Sequence, residues 1–261
     1  MNSALRDVGT ELKLLSSRHF VITSRNDPSS KAYVTDLFKL MGIEFVFFNL
    51  CSDEDVKHFV YKMIGYYDTR IPSYFLREHM FVNSKYARTA LMITYYIIWT
   101  HCRAAFPAEN ITIWDESIVL NYNISQNDFA VMLQSSLSYL PQTYDMLLLG
   151  HFPQKFKTCY IDDGRSRLKC DMPVTGHEFV SDYLLKLTYG FPSGACVYTP
   201  RGIASLINKF ESELPSRIIY PFECFIANTM KDLEVYCVNP SIFGQLLSAD
   251  SIVFRNVGCA I

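Results

Sequence analysis

Apolar residues recur along the first third of the chain with two alternating periods. Leu5, Val8, Leu12 and Leu15 keep a helical spacing, which predicts a helix over 5–16. His19-Phe20-Val21-Ile22-Thr23 reads as a strand, and Ser24 to Ser30 as a polar turn. Lys31 to Met41 is amphipathic, with Tyr33, Leu37, Phe38 and Met41 on one face and Gly42 as its stop. Ile43 to Leu50, "IEFVFFNL", is the next predicted strand. Strand, helix and strand within about thirty residues mark a parallel unit joined by a crossover.

The alternation continues downstream. Asp53 to Ile64 reads as a helix, and Ala90 to Ala105, apolar on nearly every face, as a buried one. Phe106-Pro107-Ala108 ends it, and the strand Ile111-Thr112-Ile113-Trp114 follows, with a second apolar run at Ile118-Val119-Leu120. A helix over Asn127 to Leu140 precedes Tyr144 to Gly150, which reads as a fully buried strand. Residues 151–182 are polar and are expected to form loops over a site. A strand at Gly194 to Thr199, a helix opened by Pro200 and running to Leu214, a helix near Pro221 to Met230 and a strand at Leu233 to Val238 complete the series. No internal repeat, low-complexity tract or linker interrupts it, so one α/β domain is expected across 1–261.

Composition narrows the function classes. Almost half of the 261 residues are hydrophobic, which excludes disorder, and a net charge near −2 lacks the basic field of a nucleic-acid binder. The N-terminus lacks the charged lead and apolar core of a signal peptide, and the most apolar stretch, Ala90 to Trp99, is far shorter than the ~20 residues of a span. A soluble, cytoplasmic protein is therefore expected. The abundance of Ile, Tyr, Phe and Asn fits an AT-rich genome such as that of a virus or a parasite. Eight cysteines include no Cys-x-x-Cys pair, so buried free thiols are expected rather than a zinc site or a disulfide framework. Cys159 and Cys170, which flank a polar loop, are the pair that stands apart.

Candidate chemistry centres on Asp115 and Glu116, adjacent carboxylates at the end of a buried-looking strand. Either a cation meets them there, or the strand ends in solvent and they act as solvated or helix-capping acids beside Ser117 and Asn121. Asp162-Asp163-Gly164 is a competing metal candidate that also reads as an acidic β-turn. His177-Glu178 could supply a second base or an acceptor contact and also fits a surface pair, and Arg201 fits the surface of a helix start. No Ser-His-Asp order, dinucleotide fingerprint or phosphate loop is present.

The order of segments resembles glycosyltransferase family 25, which contains lipopolysaccharide and procollagen galactosyltransferases. Tyr144 to Gly150 fits the family's Trp-Asp-hydrophobic-Leu-Gly strand, "GACVYTPRGIASLI" (Gly194 to Ile207) its strand-plus-helix unit, and Pro221-Phe222-Glu223 its Pro-Val-Asp. Val235 to Pro240 stands where its late strand ends. The first half keeps the outline and changes the groups. Thr23-Ser24-Arg25-Asn26-Asp27 replaces Asn-Leu-Asp-Arg-Arg, Thr94-Tyr95 replaces Ser-His with Trp99 kept, and Asp115-Glu116-Ser117 replaces Glu-Asp-Asp.

The resemblance implies a GT-A-like α/β fold with a mostly parallel central sheet flanked by helices. It implies inverting transfer of a hexose from a UDP-sugar to an acceptor hydroxyl, assisted by Mn²⁺ or Mg²⁺ at Asp115 and Glu116. Thr23, Ser24 and Arg25 would contact the donor, although Arg25 can equally pair with Asp27. Glu223 would act as the base, although an acid just after Pro221 also suits a helix N-terminus. The altered groups leave a second expectation open: the same fold without catalysis, kept as a binding or assembly module.

Overall fold

A computed structural model of the chain describes residues 2–23, 28–64, 87–121, 124–150, 159–162, 167–170, 177–188, 190, 194–216 and 222–245. The helices are α1 (Asn2–Leu15), α2 (Pro28–Met41), α3 (Asp53–Ile64), α4 (Ala87–Ala105), α5 (Gln126–Tyr139), α6 (Pro200–Glu213) and α7 (Phe222–Thr229). The strands are β1 (Arg18–Thr23), β2 (Val46–Asn49), β3 (Ile111–Asp115), β4 (Ile118–Leu120), β5 (Met146–Leu148), β6 (Cys159–Asp162), β7 (Arg167–Cys170), β8 (His177–Ser181), β9 (Leu184–Leu187), β10 (Ala195–Tyr198), β11 (Val235–Val238) and β12 (Phe243–Gln245).

Eight strands form one sheet in the order β2-β1-β3-β10-β5-β11-β9-β8. Six of them, β2, β1, β3, β5, β11 and β8, run in one direction, and β10 and β9 run against them. The expected α/β architecture, with a mostly parallel central sheet flanked by helices, is the one observed. Alternation along each strand sends side chains to two separate cores. Ile22, Ile113, Leu148, Cys196 and Val235 pack with α3, α4, α6 and α7, whereas Val21, Trp114, Leu147, Val197 and Tyr236 pack with α1, α2 and α5. Because both faces are covered, the central strands read as unbroken apolar runs.

Local chemistry sets the helix ends. Gly42 takes φ +68, which closes α2 as the sequence anticipates; its N–H donates to Lys39 O at 3.2 Å and that of Ile43 to Phe38 O at 3.0 Å. Thr199 caps α6 by accepting the Gly202 N–H at 3.1 Å, with Pro200 in the first turn.

Gly202 itself lies against the backbone that precedes β5. A Cβ there would fall 2.2 Å from Asp145 O. Gly202→Ala is therefore expected to lower the unfolding free energy by about 1–3 kcal/mol, despite alanine's better helix propensity. An unchanged urea midpoint would show that the α6–β5 approach is looser than described.

Arg201, expected on the helix surface, has a definite task. Its Nε donates to Asp145 Oδ1 at 2.6 Å and its Nη2 to Thr143 O at 2.8 Å. Asp145 is buried, and its Oδ2 accepts the Glu234 N–H at 2.8 Å. One carboxylate thus joins the starts of α6, β5 and β11, at the amino-terminal edge of the co-directed strands.

Within 151–182, expected to be loops, the described residues include strands. β6 and β7 pair as an antiparallel ribbon, and β8 forms an edge of the main sheet. Their apolar residues are too few to announce strands by alternation, and their backbone groups find ladder partners instead.

Candidate functional site at the carboxyl ends of β1 and β3

β1 leads through α2 to β2 on one side, whereas β3 lies on the other side of β1 and leads away toward β5. The connections diverge between β1 and β3, and in open α/β sheets the crevice outside the carboxyl ends at such a point is where ligands bind. Thr23 ends β1, and Asp115 ends β3. Three of the residues singled out in the sequence, Thr23, Asp115 and Glu116, therefore meet at one place.

Backbone hydrogen bonds fix this edge. Leu50 N donates to Thr23 O at 2.9 Å, Glu116 N to Ile22 O at 3.1 Å and Asp115 N to Gly194 O at 2.7 Å. The edge thus runs continuously from the end of β2 to the start of β10. Thr94 is buried behind it, accepting the Cys51 N–H at 3.0 Å and donating to Ala90 O at 2.7 Å. Its hydroxyl is committed to the backbone rather than turned to chemistry. Tyr95 stacks on Phe222 at 3.7 Å between ring centroids.

The two acids have different partners. Alternation puts Asp115 on the face of Ile113, and its Oδ1 accepts from Ser117 N at 2.7 Å and Ser117 Oγ at 2.5 Å. Glu116 begins the turn that follows, and its Oε2 accepts the hydroxyl proton of the buried Thr23. Ser117 closes the turn on Asp115. The Asp-x-Ser spacing is the signal for such a turn, and it was open to reading in the sequence. The Thr23–Glu116 contact joins residues far apart in the chain and had no local signal.

Above this edge, β4 and β12 form a two-stranded ribbon. Phe243 of β12 meets Trp114 edge to face at 5.2 Å, and Asn121 Nδ2 donates to Ser241 O at 2.8 Å. The ribbon holds the chain on either side of the Asp115–Ser117 turn in place.

Other candidates fall elsewhere. His177 and Glu178 lie on β8, and four strands separate it from β3, so at ~4.8 Å per strand they are roughly 24 Å from Asp115. Glu223 is the second residue of α7, and its side chain lies outside the described residues, as do Ser24 and Arg25 entirely. Asp162 ends β6 opposite Arg167, and Asp163 and Gly164 lie outside the described residues.

Among the described residues no group of three or more His, Cys, Asp or Glu side chains is placed to hold a metal ion. Asp115 and Glu116 alone supply two hard oxygen donors where a strand ends between them. Carboxylate oxygen is the donor type that Mg²⁺ and Mn²⁺ take, and here the Asp115 carboxylate accepts from Ser117 and that of Glu116 from Thr23. No described helix is long and apolar enough to cross a membrane.

No family model matches the chain, and no curated protein matches it. Among solved structures, UDP-glucose pyrophosphorylase complexed with UDP-glucose is similar over 91% of this chain and 80% of that one, with a TM-score of 0.38 and 9% sequence identity. The resemblance to glycosyltransferase family 25 rests on the sequence motifs alone.

Proposed function

We propose that the protein binds a nucleotide-sugar donor at the carboxyl ends of β1 and β3 and transfers its hexose to an acceptor hydroxyl with inversion. The observation that carries this reading is the meeting of Thr23, Asp115 and Glu116 at the point where the sheet's connections diverge. The donor is a UDP-sugar, as the family-25 motifs imply. Asp115 and Glu116 would hold Mn²⁺ or Mg²⁺, which when bound neutralises charge on the diphosphate leaving group. Thr23 orients Glu116, Ser24 and Arg25 would contact the diphosphate and ribose, and Glu223 would accept the acceptor's proton.

The test is thermal. At about 100 times Kd, UDP with Mn²⁺ is expected to add about 2.7 kcal/mol and raise Tm by roughly 5–10 °C. Glu116→Gln and Asp115→Asn are expected to abolish the shift. Absence of any shift with nucleoside diphosphates at millimolar concentration, with and without metal, would overturn the reading.

A second reading has its own support. Asp115 and Glu116 already have partners within the fold, Ser117 and Thr23, and this suits a catalytically silent module kept for binding or assembly. Turnover of a UDP-hexose, to transfer or to hydrolysis, would eliminate it.

A further inference from the structure

His19 on β1 and Thr112 on β3 are register partners in the parallel pair, with backbones ~4.8 Å apart. They stand two residues before Val21 and Trp114, so both side chains point to the face that α1, α2 and α5 cover. Both are buried, at 4% and 0% exposure, and neither His19 Nε2 nor Thr112 Oγ1 has a hydrogen-bond partner among the described residues. Buried polar atoms are costly to leave in that condition.

The two atoms are chemically complementary. An indole N–H only donates, so the bond from Trp114 Nε1 to His19 Nδ1 at 3.2 Å marks Nδ1 as the bare nitrogen of the neutral imidazole and puts the proton on Nε2. Nε2–H is therefore a donor without an acceptor, and the Thr112 hydroxyl beside it is an acceptor without a donor. The surroundings are polar at this end of the strands. Asn110, two residues before Thr112, donates from Nδ2 to Leu15 O at 2.9 Å and to Tyr144 Oη at 3.3 Å, and its carbonyl accepts from Ser16 Oγ at 3.1 Å. The Ser16 backbone also meets the imidazole, without a hydrogen bond to Nε2. Thr112 and its other register partner, Val197, are the short side chains among His19, Trp114 and Tyr144, which suits one water molecule rather than a larger ligand.

We infer that His19 Nε2 and Thr112 Oγ1 bind a single internal water molecule, which accepts the imidazole N–H and donates to the threonine hydroxyl. The water joins β1 to β3 through their side chains and holds the imidazole in the tautomer that receives the Trp114 N–H. Thr112 is thus a water ligand inside the core, a role that its place in an apolar strand conceals. The inference is independent of the nucleotide-sugar reading.

The experiment is X-ray diffraction from crystals of the full chain, at a resolution that shows internal waters. One ordered water is expected within about 2.6–3.2 Å of both His19 Nε2 and Thr112 Oγ1. Thr112→Val, nearly the same shape without the hydroxyl, is expected to lose it while keeping the His19–Trp114 bond, and Thr112→Ser to retain it. A direct contact between the two side chains, a water touching only one of them, or a water that persists unchanged in Thr112→Val would overturn the proposal. In solution, relaxation dispersion of the water nuclei counts long-lived internal waters, and the count is expected to fall by one from the wild type to Thr112→Val. An equal count would overturn it as well. The wild-type map decides the matter even if a variant fails to fold.

Discussion

Trp114→Ala is expected to lower the unfolding free energy by about 3–5 kcal/mol, the range for emptying a buried aromatic site. The indole is fully buried, meets Phe38 edge to face at 5.0 Å and Phe243 at 5.2 Å, and donates from Nε1 to His19 Nδ1 at 3.2 Å. Its loss leaves a cavity between α2, the sheet and the β4–β12 ribbon, and removes the donor that His19 accepts from. Phe38 and Phe243 belong to separate elements held by their own backbone bonds, so they cannot collapse into the space. Trp114→Phe keeps most of the contact and is expected to recover roughly half. Urea denaturation measures both, and a loss below about 1 kcal/mol for the alanine variant would contradict the packing described.

The second large effect is a pH dependence carried by His19. Burial pulls this imidazole down from its ordinary value near 6.5 to about 4, with a backbone contact to Ser16 opposing and Lys13 adding to the fall. Its Nδ1 is already an acceptor for Trp114, and its Nε2 is buried with no hydrogen-bond partner among the described residues, so the folded protein holds it neutral. The unfolded chain therefore takes up the proton first. Stability from this group is complete above pH 6.5, declines as pH falls through the interval to 4, and is lost below it, amounting to roughly 3 kcal/mol. His19→Asn, which retains an acceptor for Trp114, is expected to flatten that part of the profile. Carboxylates titrate in the same interval, so the wild-type minus variant difference in urea midpoint between pH 7 and 4.5 is the quantity to compare. Parallel profiles would refute the assignment.

Much of this architecture was legible because each strand and helix carries its own period. Asp53 to Ile64 was read with its observed bounds, and Ala87–Ala105 began three residues ahead of the expected Ala90. What the sequence withheld depends on partners far along the chain. The reversed direction of β10 is a property of the chain's path, since a buried strand such as Ala195–Tyr198 looks alike in either orientation. The three-residue strand β12 has no local signal, and the apolar run Ile118-Val119-Leu120 that forms β4 does not announce its partner, because their pairing joins residues near 119 and 244. β2 was expected over Ile43 to Leu50 and spans only Val46–Asn49, because it lies at the sheet edge with a partner on one side alone. At the site, Asp115 and Glu116 stood out as charges ending an apolar run. Their separate partners, Ser117 and Thr23, had to await the geometry.

The insertion of β10 between β3 and β5 has a consequence for how the chain is made. The unit β2-β1-β3 is translated by Asp115, yet the strand that covers the open flank of β3 does not emerge until Ala195–Tyr198. Throughout that interval Ile113 and Trp114 sit on an unpaired edge, the kind of surface on which nascent chains aggregate. Completing the sheet requires contacts of long sequence separation, which slow folding. Synthesis of the middle third of the chain is therefore the period in which a holding chaperone has most to protect.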